Sequence, residues 1–158
     1  MKINIGCGDV ILPGFVNCDL YNPAADIKCD VEQLPFKDNI AELILSWHVI
    51  EHFDFYKAVD VMKEWYRVLQ PNGKLEVQTP DFLALCKVFL ETPEDERYMY
   101  YDHFFAKPWI PGQIHKFLYT EECLGRLFFK IGFKNIKRIP ANRYYGAEYI
   151  CLGMEGYK

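Results

Sequence analysis

Two glycines and an aspartate near the start of the chain stand at a spacing that suits nucleotide binding. A short apolar strand, 2–5, runs directly into Gly6-Cys7-Gly8, and a second strand, 15–19, ends in Asp19. Glycines in such a turn let the backbone approach a ligand closely, and an acid at the tip of the next strand accepts hydrogen bonds from ribose hydroxyls. Because most Gly-x-Gly pairs are ordinary turns, this prediction depends on the elements that follow.

Three histidines and a glutamate form a second group that could do chemistry. His48, Glu51 and His52 are related as i, i+3 and i+4, so they share one face if this segment is a helical turn. His115 lies later in the chain, directly before Lys116-Phe117. Imidazoles and a carboxylate are suitable ligands for a divalent metal, and each histidine could instead act as a general base. The sequence alone does not decide between a metal ligand and a general base. A third interpretation is that these residues only pack near a substrate.

The elements that must position these residues alternate as in a parallel α/β protein. Asp54 and Thr120 are typical N-cap residues, and Gly132 suits the C-terminal end of the last helix. We predict a mostly parallel, twisted sheet with helices on its faces and an antiparallel hairpin at its C-terminal edge. The predicted strands are 2–5, 15–19, 26–30, 41–47, 74–78, 135–139 and 149–154, and helices follow Asp54, 79–81 and Thr120.

Two stretches depart from a regular α/β pattern. The crossover from Gly6 to Gly14 is too short for a helix, because parallel crossovers need about a dozen residues. We therefore expect reduced helical cover over the N-terminal half. The segment 92–119 is rich in aromatic residues and predicts an irregular insertion, or a lid on the acceptor side. Tyr144 and Tyr145 are further candidates for that lid, and the alternative is that these aromatic residues complete a small core or a dimer contact.

Composition excludes several classes of protein. The 158 residues predict one domain, 1–158, that can bury a substantial core. The net charge of −4 argues against a nucleic-acid surface. No apolar run reaches the roughly 18 residues that span a bilayer, so no membrane partner is expected. Six cysteines without a C-x-x-C pair suit reduced thiols and a cytoplasmic location.

Five segments fall in order along the chain, most of them at the ends of predicted strands. They are Ile3-Asn4-Ile5-Gly6-Cys7-Gly8, Asn17-Cys18-Asp19-Leu20, Cys29-Asp30-Val31-Glu32-Gln33-Leu34-Pro35-Phe36, Ser46-Trp47-His48-Val49-Ile50-Glu51-His52-Phe53 and Tyr66-Arg67-Val68-Leu69-Gln70-Pro71-Asn72-Gly73. Each segment is modest alone, but together and in this order they resemble class I S-adenosylmethionine-dependent methyltransferases, of the broad small-molecule group called type 11. The resemblance implies one Rossmann-like domain that binds S-adenosylmethionine.

The resemblance also implies how these residues contact the cofactor. The glycine turn would approach the methionine part and the ribose, Asp19 would hold the ribose hydroxyls, and Leu20 would pack on adenine. Asp30 would accept a hydrogen bond from the adenine amino group, and the Val31 N–H would donate one to a ring nitrogen of adenine. Residues 46–48 would line the end of the site that holds the methyl donor. The implied cofactor residues are Ile5, Gly6, Cys7, Gly8, Asp19, Leu20, Asp30, Val31, Ser46 and His48. Asn4 stands where the family usually carries an acid.

The histidine group resembles the metal sites of two branches of this superfamily, the small-RNA 2′-O-methyltransferases and the ubiquinone-pathway O-methyltransferases. Glu51, His52 and His115 match their pattern, and His48 replaces its first glutamate. The resemblance implies a divalent metal held by His48, Glu51, His52 and His115, with Zn, Mn, Fe or Ni favoured over Mg. A related Val-x-Glu-His-Phe pattern also occurs in methyltransferases that bind no metal.

The expected function is O-methylation of a sugar or another small-molecule hydroxyl, with His48, His52 or His115 as the general base. One alternative is a non-catalytic or partner-dependent methyltransferase-like subunit, suggested by Asn4 and the reduced N-terminal cover. A homodimer or a partner subunit could then complete the site. Residues 48–52 also spell H-x-x-E-H, the motif of an inverted zinc peptidase, but such a peptidase needs this motif inside a long helix.

Overall fold

A computed structural model of the chain describes residues 1–110, 112–141 and 148–158. Within these ranges seven strands form one sheet, and four α-helices accompany it. The strands are β1 (Lys2–Ile5), β2 (Val16–Asp19), β3 (Ile27–Lys28), β4 (Ala41–Trp47), β5 (Leu69–Pro80), β6 (Lys134–Ile139) and β7 (Cys151–Tyr157). The helices are α1 (Phe55–Val68), α2 (Phe82–Glu91), α3 (Tyr101–Phe105) and α4 (Glu121–Ile131).

The strand order is β3-β2-β1-β4-β5-β7-β6. The first five strands are parallel, and β7 runs antiparallel to both β5 and β6. This confirms the predicted mixed α/β sheet. The antiparallel pairing of the last two strands is also as predicted, but β7 inserts between β5 and β6, so that β6 alone forms the C-terminal edge and β3 forms the other. The order reverses between β1 and β4, and ligands of such sheets bind beyond the strand ends at this point.

One face of the sheet carries the main core. Ile3, Ile44 and Leu75 lie side by side across β1, β4 and β5 and are fully buried. Trp65 of α1 and Phe128 of α4 belong to the same buried cluster. Burying apolar side chains of this size contributes about 1.5–3 kcal/mol each, so this face provides the main support for the strand ends.

Helices α1 and α4 begin at the predicted N-cap residues, and α4 ends at the predicted glycine. Asp54 accepts hydrogen bonds from Tyr56 N and Lys57 N and so caps α1. Thr120 accepts from Cys123 N at the start of α4, and Gly132 ends α4 with a left-handed φ of 113°. These contacts satisfy backbone groups that a helix leaves unpaired at its ends.

The short first crossover is held by amide side chains instead of a helix. Asn4 Nδ2 donates to Val10 O at 2.8 Å and to Asn17 Oδ1 at 3.0 Å. Asn17 Oδ1 also accepts from Leu12 N at 2.9 Å, and Asn17 Nδ2 donates to Asp26 Oδ2 at 2.9 Å. Both hydrogen bonds donated by the Asn4 side chain therefore stabilise the first crossover.

The segment predicted as an irregular insertion is partly helical. A 3₁₀ helix, Glu94–Tyr100, leads into α3, and Tyr98, Phe105 and Trp109 are exposed. Arg97 Nε donates to Phe89 O and Thr92 O, which ties this segment to the end of α2. Tyr144 and Tyr145 lie outside the described residues.

All six cysteines are free thiols. Among the described residues, no helix combines the length and the apolar character that crossing a membrane requires.

We predict that Asn4→Asp lowers the free energy of unfolding by about 2–4 kcal/mol. The new carboxylate would face Val10 O and Asn17 Oδ1, two acceptors that now receive hydrogen bonds from Asn4. Urea denaturation measures the change.

Asn135→Asp is the matched control, because Asn135 is exposed and such substitutions usually change stability by less than about 0.5 kcal/mol. Equal stability of the two variants would show that the amide network does not hold the crossover.

Candidate active site

A cavity of about 580 Å³ lies beyond the carboxyl ends of β1, β2 and β4, at the point where the strand order reverses. Most of the predicted cofactor residues line it, namely Gly6, Gly8, Asp19, Leu20, Asp30, Val31 and His48. The side chains of Ile5, Cys7 and Ser46 are buried in the protein and do not line it. Its wall therefore contains both predicted groups, the glycine turn with its acid and part of the histidine group.

The glycine turn after β1 has a backbone that favours glycine at both positions. Gly6 and Gly8 have φ angles of +60° and +48°. A Cβ on Gly6 would collide with Val49 Cγ2, whereas a Cβ on Gly8 would meet no atom within 4 Å. Gly8 lines the cavity, and the space beside it is open, so a ligand has room to approach the backbone. A nucleotide cofactor fits this arrangement.

The carboxylate of Asp19 is on the cavity wall and is already oriented by backbone groups. Its Oδ2 accepts from Gly8 N at 2.9 Å, and its Oδ1 accepts from Tyr21 N at 2.7 Å and Asn22 N at 2.8 Å. A carboxylate offers about four acceptor positions, so these three bonds hold it rigidly and leave capacity for a ligand hydroxyl.

Asp30 and Val31 form the neighbouring part of the wall. Asp30 is exposed and accepts from Glu32 N at 2.9 Å. Trp65 Nε1 donates to Val31 O at 2.9 Å, so α1 fixes the backbone at this position. Asn4 does not line the cavity, and its amide is used in the first crossover.

The backbone changes direction sharply after β4. His48 has a φ of +55°, which is unusual for a residue with a side chain, and a 3₁₀ turn, Ile50–His52, follows. The expectation that 48, 51 and 52 share one helical face is therefore wrong for His48. Its Nδ1 donates to Glu51 Oε1 at 3.0 Å, and its Nε2 lies 3.7 Å from Cys151 Sγ. His48 thus orients the Glu51 carboxylate, and its role as a fourth ligand stays a prediction.

Three of the four predicted metal ligands come together. One ligand atom each of Glu51, His52 and His115 lies within 4.8 Å of the others, and the two imidazole rings are 5.2 Å apart. His52 Nδ1 donates to Ile114 O at 3.2 Å, and His115 Nδ1 donates to His103 O at 3.1 Å. With Nδ1 protonated on both rings, Nε2 carries the lone pair, which is the usual arrangement of metal-binding histidines.

Glu51 provides a second indication of a missing partner. It is fully buried, and its Oε2 has no hydrogen-bond partner among the described residues. An unpartnered carboxylate oxygen inside a protein is costly unless a cation or a donor is present. These three residues therefore fit a divalent cation with two nitrogen ligands and one oxygen ligand.

The charges in this group are coupled. Burial alone would raise the pKa of Glu51, but the hydrogen bond from His48 and the nearby imidazoles hold that pKa below its usual value. Burial lowers the pKa of His48, but its contacts with Cys151 and Glu51 outweigh that effect and raise the pKa to about 10. Burial lowers the pKa of His115, which favours the neutral imidazole.

Some residues of the cavity were not predicted. Tyr21 lines it and was not named, whereas Trp47 belongs to the predicted segment 46–48, and Gly112 and the neighbours of His115 belong to the predicted lid 92–119. Cys151 could not have been anticipated, because its contact with His48 depends on where β7 enters the sheet.

The arrangement does not suit an H-x-x-E-H peptidase. Such an enzyme needs both histidines of the motif on one long helix. Here His48 lies at the end of a strand, and only a three-residue turn follows it.

Comparison with known proteins gives a partial match to one family model and a shared fold. Residues 15–77 match the model of a methyltransferase domain family. A search of curated proteins found no match.

Solved structures share the fold at low identity. An S-adenosylmethionine-dependent methyltransferase from Thermotoga maritima is 19% identical, and the alignment covers 99% of this chain and 81% of that chain, with a TM-score of 0.65. The 1,6-didemethyltoxoflavin-N1-methyltransferase from Burkholderia thailandensis, solved with S-adenosylhomocysteine, is 15% identical over 99% of this chain and 70% of its own, with a TM-score of 0.63.

A third structure is a complex between the Haloferax volcanii Trm112 methyltransferase activator and a methyltransferase. The matched chain of that structure is 14% identical, and the alignment covers 99% of this chain and 81% of that chain, with a TM-score of 0.59. Residues 15–77 thus resemble part of a methyltransferase domain, and the chain shares the fold of S-adenosylmethionine-dependent methyltransferases.

Proposed function

We propose that this protein transfers a methyl group from S-adenosylmethionine to a hydroxyl of a small molecule, such as a sugar. The observation that carries the proposal is a single cavity with an open glycine turn and the Asp19 carboxylate on its wall, together with His48, His52 and His115. The first group suits the nucleoside of the cofactor. The second suits removal of a proton from an acceptor.

The residues of the cavity would divide the work between binding and proton transfer. S-adenosylmethionine, when bound, supplies an activated methyl group. The Gly6–Gly8 turn and Asp19 would hold the nucleoside, with Leu20, Asp30 and Val31 around the base. Holding reactants in line is the main contribution of such a site, because displacement requires reacting atoms about 3 Å apart.

The histidine group favours a hydroxyl acceptor. A hydroxyl must lose its proton during transfer, and a positioned base contributes about 10²–10⁴-fold. Both ring nitrogens of His48 already contact protein groups, so we assign proton transfer to His52 or His115 and orientation of Glu51 to His48. Exposed aromatic residues of 98–109 suit the apolar face of a sugar ring.

We further propose a divalent cation as a second cofactor, held by Glu51, His52 and His115. The orphaned Glu51 Oε2 and the two oriented imidazoles support this site. With three protein ligands, open positions would remain for the acceptor oxygen, whose pKa the cation would lower.

A partner-dependent subunit is the second candidate. The connections after β1, β2 and β3 contain no helix in the described chain, so the cavity has little helical cover on that side. One structural relative was solved with an activator protein, and an activator or a second copy of this chain could complete the site. The free cysteines support a reducing compartment such as the cytoplasm.

We expect the isolated chain to bind S-adenosylhomocysteine and Asp19→Asn to weaken that binding by about 1–3 kcal/mol, because hydrogen bonds to a charged group are lost. Isothermal titration calorimetry measures both. Asp9→Asn is the matched control, since Asp9 is an exposed acid of the same loop and does not line the cavity.

Failure of the wild-type chain to bind the nucleoside would contradict the enzyme as proposed. Binding without turnover on a panel of sugars and phenols would favour the partner-dependent subunit. An unchanged dissociation constant in Asp19→Asn would show that this carboxylate does not hold the ribose.

We predict that elemental analysis after loading finds about one cation per chain, and that Glu51→Gln and His115→Ala each weaken cation binding by at least about tenfold. His103→Ala is the control. His103 is a histidine of the same region that contributes only its backbone oxygen to His115. Full cation content in His115→Ala, or activity that resists chelation, would remove the cation from the proposal.

A further inference from the structure

A short segment, 112–116, forms part of the cavity wall and also carries His115. We call this segment the strap. It contacts both groups of the site, and these contacts are made by different residues at its two ends.

The C-terminal end of the strap is attached to the turn after β4. Lys116 N donates to Glu51 O at 2.8 Å, and the next residue, Phe117, donates through its N to the same oxygen at 3.2 Å. His52 Nδ1 donates to the strap at Ile114 O. All three proposed cation ligands therefore lie on the strap or on the turn to which it is bonded.

The N-terminal end of the strap reaches the nucleoside side of the cavity. A Cβ on Gly112 would lie 3.1 Å from Tyr21 Cε2, so the strap backbone is close against this ring. Tyr21 in turn donates from its N to Asp19 Oδ1. A continuous series of contacts thus connects the cation ligands to the acid proposed to hold the ribose.

We propose that a divalent cation bound by Glu51, His52 and His115 fixes the strap and thereby tightens binding of the nucleoside cofactor. This inference rests on the proposed function. The cation would join the turn to the strap at Glu51 Oε2, which has no partner among the described residues. Once the cation has ordered this part of the cavity wall, binding of the nucleoside loses less conformational entropy. The coupling is reciprocal, so the nucleoside would tighten binding of the cation by the same factor.

Calorimetric titration of the full chain with S-adenosylhomocysteine tests the coupling, first in EDTA and then with saturating Mn²⁺ or Zn²⁺. We expect about tenfold or tighter binding with at least one of the two ions, within the usual range for coupled sites. Amide hydrogen exchange at 114–117 should slow when the cation alone is added.

Three variants test whether the coupling passes through the strap. His115→Ala should bind S-adenosylhomocysteine equally with and without the cation, whereas His103→Ala should keep the tightening. Tyr21→Ala should bind the cation normally but lose most of the tightening, because the contact with Gly112 is removed.

The outcomes distinguish this inference from the function it rests on. If S-adenosylhomocysteine does not bind under any condition, the proposed function fails. If it binds equally with and without both ions, the coupling is overturned and the methyltransferase proposal stands. Tightening that persists in His115→Ala, or in full in Tyr21→Ala, would likewise overturn the coupling through the strap.

Discussion

Backbone groups in the connections between the first four strands must find hydrogen bonds without a helix, and the rest of the structure depends on how they do so. Buried N–H and C=O groups are costly when unpaired. Asn4 and Asn17 satisfy the loop after β1, and Asp19 satisfies the amides of Gly8 and Tyr21. The loops are therefore held in place by buried polar side chains, and these side chains leave the strand ends open to a ligand.

In the part of the chain that the structure describes, the connection after β3 also lacks a helix of its own, and side chains of α1 hydrogen-bond its backbone instead. Trp65 donates to Val31 O, Glu64 accepts from Leu34 N at 2.8 Å, and Arg67 donates to Phe36 O at 2.9 Å. Because α1 is anchored in the core, these bonds transfer its rigidity to the wall of the cavity. A helix on one face of the sheet thus positions backbone that lines the cavity at the strand ends.

Glu51 has a comparable organising role at the other end of the cavity. A buried carboxylate must be compensated by hydrogen bonds or by positive charge. His48 supplies one partner, and the left-handed backbone at His48 brings its ring to Glu51. Strain of this kind persists only where surrounding contacts hold it, and it is typical of functional sites. The backbone oxygen of Glu51 also holds the strap, so one residue joins the turn, the strap and the proposed cation.

Local chemistry allowed the sequence alone to determine much of this protein. The glycine turn, the acid at the tip of β2, the caps at Asp54 and Thr120, and the short first crossover all follow from interactions between residues close in the chain. Tertiary structure alone decided that β7 enters between β5 and β6, that Cys151 meets His48, and that the strap joins Glu51. It also placed the His48 ring against Glu51 and Cys151, because a helical spacing does not specify the sign of φ. These outcomes depend on contacts between residues distant in sequence, such as His52 and Ile114. Such contacts form only when the whole core is buried, so no local pattern could encode them.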